Sequence, residues 1–320
     1  MIKSEPDRKR SKDLGIDLKT IKLFEKIAKA VAPPPIMTVS QWADAERRLS
    51  AESSAEAGRW NTDRAPYQRE ILDAVNNPEC EEVVIMSSAQ VGKTELILNT
   101  IGYYIDYDPA PILVVNPTIE MAQTFSKDRL APMIRDTPAL RGKVRDAKSK
   151  NSGNTILHKQ FPGGHITMAG ANSPASLASR PIRIALMDEI DRYPASAGTE
   201  GNPIKLAEKR TTTFWNRKKI KVSTPTIKGQ SQIEAEFLTG SQEEWCVPCP
   251  CCGKYQPYEW GRIHFSDVTM ECKFCGEHIS EVDWKQQKGK YIAKFPDRKR
   301  KRSFHLNELA SPWKHWEEII

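Results

Sequence analysis

The sequence has no apolar run approaching the roughly 20 residues that span a bilayer, and its N-terminus lacks the apolar core of a signal peptide. These absences exclude a transmembrane helix and a secretory leader, so the expected location is the cytoplasm. Cysteine is nearly missing outside one stretch. Six of the seven fall between Cys246 and Cys275, which excludes a disulfide framework spread over the chain. Charge of one sign is in no large excess: a net +7 over 320 residues suits nucleic acid binding and simple solubility equally, and identifies no partner. With 39% apolar residues, the chain has enough material for one large domain and a smaller module.

One absence is local. Ser87-Ser88-Ala89-Gln90-Val91-Gly92-Lys93-Thr94 follows the phosphate-loop pattern G-x-x-x-x-G-K-[ST] except that serine replaces the first glycine. Gly-Lys-Thr also occurs in helix starts that bind nothing, so the flanks matter. Val83 to Met86 reads as a buried strand and Glu95 to Leu98 as the opening of a helix. Backbone N–H groups at such a helix start can hold phosphate oxygens, Lys93 adds a positive charge, and the Thr94 hydroxyl suits Mg²⁺.

About 95 residues further on, Ile184-Ala185-Leu186-Met187-Asp188-Glu189 is an apolar run ending in two carboxylates. A buried parallel strand carries such a run, and its C-terminal end is where α/β sheets place their chemistry. A solvated turn would account for an Asp-Glu pair by itself. Beside a phosphate loop, Asp188 suits Mg²⁺ and Glu189 the polarisation of an attacking water.

The cysteines form a metal pattern. Cys249-Pro-Cys-Cys252-Gly and Cys272-Lys-Phe-Cys275-Gly are two C-x-x-C-G knuckles separated by 19 residues, the spacing of a zinc ribbon closed by four thiolates. Cys246 makes a C-x-x-C with Cys249 as well, leaving one position ambiguous. The glycines after Cys252 and Cys275 favour Cys249, Cys252, Cys272 and Cys275, with Cys246 and Cys251 spare. Four sulfur ligands leave no open position, so the Zn²⁺ is expected to be structural.

Along the chain, apolar residues from Ile16 to Val31 recur at helical spacing, predicting an amphipathic helix that packs on the core or docks a partner before the Pro33-Pro34-Pro35 break. Trp42 to Gly58 reads as helical. Pro66-Tyr67-Gln68 opens another helix, and Tyr67 and Gln68 suit adenine, by stacking and by a bidentate amide. Ile112 to Val115 reads as a strand and Ile119 to Ile134 as a helix carrying Arg129. Lys219 to Val222 is a late strand ending at Ser223-Thr224-Pro225, where hydroxyls would sense a γ-phosphate or simply cap a turn. Strand alternating with helix predicts an α/β fold, a P-loop NTPase with a mostly parallel doubly wound sheet, plus a small zinc-ribbon module. The expected divisions are an arm at 1–40, an ATPase domain at 41–240, the zinc ribbon at 241–285, and a return to the core at 286–320.

The order of Pro66-Tyr67-Gln68, the loop at 87–94, Leu-Met-Asp-Glu-Ile-Asp-Arg-Tyr-Pro at 186–194, Ser-Thr-Pro-Thr at 223–226, the knuckle at 247–253 and Leu-Asn-Glu-Leu-Ala-Ser-Pro-Trp at 306–313 resembles the large terminase subunit of lambda-like tailed phages. The resemblance runs from about residue 40 to the end. It implies an ATP-driven motor in the host cytoplasm that moves double-stranded DNA into a procapsid with a small terminase subunit, the portal protein and a homo-oligomeric ring. Lys93 and Thr94 would bind phosphate and Mg²⁺, Asp188 Mg²⁺ and Glu189 the lytic water. Ser223, Thr224 and Pro225 would couple hydrolysis to movement. Some relatives carry an arginine in the phosphate loop where this chain has Gln90. That departure moves the expected charge-stabilising arginine to Arg180, with Arg129 second. Relatives continue into a nuclease domain, for which no room follows Trp316, so ATPase without nuclease activity is expected. A helicase-like translocase and an inactive DNA-binding remnant are the alternatives. Arg298 to Arg302 reads either as a track for a phosphate backbone or as a solvated charge run.

Overall fold

Val83 to Ile85, Ile112 to Val115 and Ile184 to Met187 are unbroken apolar runs, which belong in strands covered on both faces. In the computed structural model these runs are central strands of one large sheet. The structure describes residues 17, 19–20, 22–24, 37–52, 54, 56–144, 154–178 and 180–319. The chain divides into two compact units, Met1–Met37 and Thr38–Ile320. In the first, residues 19–20 and 22–24 are helical, with Leu23 and Phe24 exposed. Most of the expected amphipathic helix lies outside the described residues.

The second unit opens with α1 (Val39–Glu46), a short ribbon of β1 (Arg48–Leu49) and β2 (Gly58–Arg59), and α2 (Tyr67–Asn76). Then come β3 (Glu82–Ser87), α3 (Lys93–Asp106), β4 (Ile112–Asn116), α4 (Ile119–Thr124) running through a π-helical turn into α5 (Ala131–Asp136), and the hairpin β5 (His158–Phe161) and β6 (Gly164–Gly170). They are followed by α6 (Pro174–Ala178), β7 (Ile184–Asp188), α7 (Pro203–Lys209), β8 (Lys218–Ser223), α8 (Gln232–Leu238), β9 (Glu243–Pro248) and β10 (Tyr255–Pro257). The chain continues through β11 (Ile263–His264), β12 (Thr269–Glu271), β13 (His278–Ser280), α9 (Glu281–Lys285), β14 (Lys290–Ala293) and β15 (Lys301–Leu306).

The large sheet runs β10-β9-β15-β3-β8-β7-β4-β6-β5, with β14 also on β9. From β9 to β6 every neighbouring pair is parallel, and the antiparallel strands β5, β10 and β14 lie at its margins. Val84, Leu113, Val115, Ala185 and Met187 share one face with Ile204 of α7 and with Ile233 and Phe237 of α8. Strand alternation turns Val83, Ile85, Val114 and Leu186 to the other face. β11, β12 and β13 form a separate antiparallel sheet in the cysteine-rich region. The mixed α/β fold with a large, mostly parallel sheet is as expected. Among the described residues no helix is long and apolar enough to cross a membrane.

Two local readings need correction. The helix expected from Trp42 to Gly58 stops at Glu46, because Arg47 is extended and turns its buried guanidinium inward to Glu95 Oε2 at 2.9 Å. The chain end after Trp313 and Trp316, which reads as part of a helix in the sequence, is a 3₁₀ turn, Trp316–Glu318. The basic run keeps Arg298, Lys299 and Arg300 exposed, as a solvated charge run would be, and each of its side chains also has a partner. Arg298 donates to the carbonyls of Leu238 and Gly240, and Lys299, Arg300, Lys301 and Arg302 pair with Glu79, Glu81, Glu236 and Glu243.

Candidate active site

β3 ends at Ser87, and the loop that follows enters α3 at Lys93. Gly92 has φ +83°, and Gln90 takes φ +58° in the same left-handed region, so the chain turns sharply before the helix. Ser87 is not among the residues with positive φ; it is the last residue of β3 and pairs with Leu306. Serine is therefore accommodated where the usual pattern has glycine. The loop is pinned from outside: Ser88 N–H donates to Leu306 O at 3.0 Å, and the Val91 carbonyl accepts from Tyr67 Oη and Gln68 Nε2, each at 3.3 Å.

Lys93 Nζ is where three elements meet. It donates to Ser88 O at 3.3 Å and to Thr224 Oγ1, and lies 3.6 Å from Glu189 Oε1. Thr224 reaches this point because β8 is the parallel neighbour of β3, and Glu189 because β7 follows β8 in the sheet. Glu189 has φ +53°, a costly conformation for a residue with a side chain, which lifts its carboxylate off the strand end toward Lys93. Asp188, the last residue of β7, is pushed up to about 7 by burial and by the neighbouring Glu189 charge. A carboxyl so placed keeps its proton until a cation balances it, which fits Mg²⁺. Thr94, half-buried, occupies the first turn of α3.

Two residues that the sequence reading left without a role complete this region. Asp191 N–H donates to the buried Ser223 Oγ at 3.2 Å, and its carboxylate accepts from Thr226 and from Ile233 N–H of α8. Arg192 Nε lies 3.7 Å from Glu189 Oε2. The signal for Asp191 was its place three residues after Asp188, where the turn carries it back toward the β8 end.

Other expected site residues are placed elsewhere. Tyr67 and Gln68 are both buried and spend their donors on the loop itself. Arg180 lies 3.3 Å from His158 Nε2, on the far edge strand β5, and so is not gathered with Lys93 and Glu189. Arg129 sits in the π-helical turn between α4 and α5.

The four expected cysteines do come together. The sulfurs of Cys249, Cys252, Cys272 and Cys275 all lie within 4.8 Å of one another, with Cys249–Cys275 and Cys252–Cys272 each at 3.8 Å. A tetrahedron with metal–sulfur bonds of about 2.3 Å has edges of about 3.8 Å, so the donor set fits Zn²⁺. Cys252 N–H and Phe274 N–H point at the sulfurs of Cys249 and Cys272, at 3.5 and 3.4 Å. Cys246 and Cys251 stay outside the group, which removes the ambiguity at Cys246.

A family model described as phage terminase large subunit gpA, ATPase domain, matches residues 54–291. The terminase large subunit of Enterobacteria phage P21 is 29% identical over 91% of this chain and 50% of its own length. That of Escherichia phage lambda is 31% identical over 71% of this chain and 36% of its own. The chain thus spans half or less of the curated relatives it matches. Two solved structures of the Thermus phage P74-26 large terminase ATPase domain, one of them a mutant, are also similar. The mutant is 14% identical with a TM-score of 0.43, over 76% of this chain and 83% of that one. The other is 13% identical with a TM-score of 0.41, over 81% and 86%.

Proposed function

Because this chain belongs to the family of the phage terminase large subunit gpA ATPase domain, we propose that it hydrolyses ATP to drive viral DNA packaging. The carrying observation is the convergence of Lys93, Glu189 and Thr224 at the turn between β3 and α3. The triphosphate lies against the N–H groups of residues 88–94, with Lys93 Nζ leaving Thr224 and Glu189 for the phosphate oxygens. Thr94 and Asp188 hold Mg²⁺, which supplies neutralisation of phosphate charge. Glu189, freed from Lys93, orients and deprotonates the attacking water.

Release of phosphate changes what Thr224 touches, and Ser223 passes that change through Asp191 to α8. Arg180, remote from Glu189 within the chain, acts on the γ-phosphate of a neighbouring copy in a ring. Zn²⁺ is held by Cys249, Cys252, Cys272 and Cys275 as a structural centre. The ATPase region is 41–240, the zinc ribbon 241–285, and residues 286–320 return to the core. Duplex DNA, a small terminase subunit and the procapsid portal are the partners, in the host cytoplasm.

The test is Mg²⁺-dependent ATP hydrolysis with and without duplex DNA, beside Lys93→Ala and Glu189→Gln. DNA-stimulated turnover lost in both variants supports the reading. A wild-type chain that binds no nucleotide overturns it.

A further inference from the structure

The segment after β15 has so far carried no role. It makes a 3₁₀ turn at Glu308–Ala310 and then passes the loop between β3 and α3, where Ser311 Oγ donates to Gln90 O at 3.5 Å. The Trp313 ring comes within 3.8 Å of the point where a Cβ on Gly92 would stand, and Gln68 Nε2 lies 2.3 Å from that same point. Gly92, Gln68 and Trp313 therefore meet at one place.

The segment that carries the ring is held there. Lys285 of α9 donates to the carbonyls of Ser311 and Lys314, both at 2.8 Å, and Trp316 N–H donates to Glu281 Oε2 at 3.0 Å. Trp316 is wholly buried by this arrangement, whereas Trp313 stays 45% exposed. Among the described residues no aromatic ring pairs with it. A large flat face is thus fixed open beside the loop. Next to it, the wholly buried Gln68 has an Oε1 that accepts no hydrogen bond.

We propose that Trp313 is the residue on which the base of the bound nucleotide stacks. The inference rests on the reading of residues 87–94 as the triphosphate site. A triphosphate seated there projects its nucleoside to one side of the loop, and the Gly92 side offers an exposed indole beside the Gln68 amide. Base–aromatic stacking needs only the π-face.

The experiment compares calorimetric binding of ATP and of inorganic triphosphate, with Mg²⁺, to the wild-type chain, Trp313→Ala and Trp313→Phe. Removing the ring is expected to weaken ATP binding roughly ten- to a hundredfold, with phenylalanine recovering most of the loss and triphosphate binding alike in all three. Unchanged ATP affinity in Trp313→Ala overturns the proposal. So does a parallel loss of triphosphate binding, which would make Trp313 a prop for the loop. A wild-type chain that binds neither compound overturns the phosphate-site reading and this inference with it.

Discussion

Asp191 Oδ2 accepts from both the main-chain N–H and the hydroxyl of Thr226, at 2.9 and 3.0 Å. Its other oxygen accepts from Ile233 N–H at 2.7 Å. One carboxylate thereby ties the turn after Glu189 to the segment after β8 and to the start of α8. A shift at Thr224, which touches Lys93, has a short covalent path to Thr226 and from there a hydrogen-bonded path to a helix on the sheet's face.

Asp191→Ala is therefore expected to cost about 3 kcal/mol or more, since hydrogen bonds to an ionised acceptor contribute about 1.5–3 kcal/mol each and three donors lose theirs. Urea unfolding measures it. Asp191→Asn, which keeps one acceptor oxygen, should bind ATP nearly as tightly as wild type while turning over more slowly. An Asp191→Ala chain with the wild-type denaturation midpoint would show that the three donors are satisfied otherwise.

Gly92→Ala tests the turn itself. The added Cβ would stand 2.3 Å from Gln68 Nε2, at φ +83°. The left-handed conformation alone costs a side-chain-bearing residue about 1–2 kcal/mol. The substitution is expected to weaken triphosphate binding and lower stability by about that amount plus the displacement of Gln68. Adding Gln68→Ala should relieve the clash but leave the backbone term. A double variant restored to wild-type stability would contradict the strain at φ.

The strand, loop and helix from Val83 to Leu98 were legible because everything that specifies them is local: an apolar run, a glycine, then helix-forming residues. The carboxylates at 188 and 189 were legible for the same reason. What failed to show was long-range. That Lys93 meets Thr224 follows from β8 lying beside β3, and that Arg180 sits against His158 follows from β5 lying at the far edge. Tyr67 and Gln68 were read as residues that suit adenine, and nothing local says that their donors are used on Val91 O. The partners of Arg298 to Arg302 lie between 58 and 220 positions away in sequence, so a charge run read by itself does not reveal them.

The cysteine group predicts one zinc per chain, unchanged by Cys246→Ser or Cys251→Ser and lost in Cys272→Ser, as read by metal analysis of the purified protein. Apparent binding energies of about 10–16 kcal/mol for structural zinc exceed what a core as small as Ile263, Met270, Ile279 and Trp284 supplies by itself. Chelation should therefore open β11, β12 and β13 to hydrogen exchange while β3, β7 and β8 stay protected. Equal exchange in both regions after chelation would mean that the module and the large sheet unfold together.

Lys221 of β8 is 1% exposed, with its Nζ 2.6 Å from Glu208, 2.8 Å from Glu236 and 3.4 Å from Glu82. Burial works to raise the Glu236 carboxyl, but Lys221 and Lys301 outweigh it and hold it at about 2, below an ordinary value of 4.5. A group whose folded value lies below its unfolded one stabilises the fold above the unfolded value, and that contribution is lost as pH falls through the folded one. The window is thus about pH 4.5 down to 2, and the difference corresponds to roughly 3 kcal/mol. Glu236→Gln is expected to cost about that much at pH 7 and little near pH 2, flattening the acid limb of a stability–pH curve. Lys221→Met removes the buried cation that the three carboxylates share, leaving Glu236 to Lys301, Glu82 to Lys219 and Lys301, and Glu208 to Lys205, and should cost about 3 kcal/mol at pH 7. Because protonation relieves the under-compensated carboxylates, the Lys221→Met deficit should shrink on acidification. A deficit that stays constant from pH 7 to pH 3 would mean that Lys221 contributes packing in β8 rather than charge.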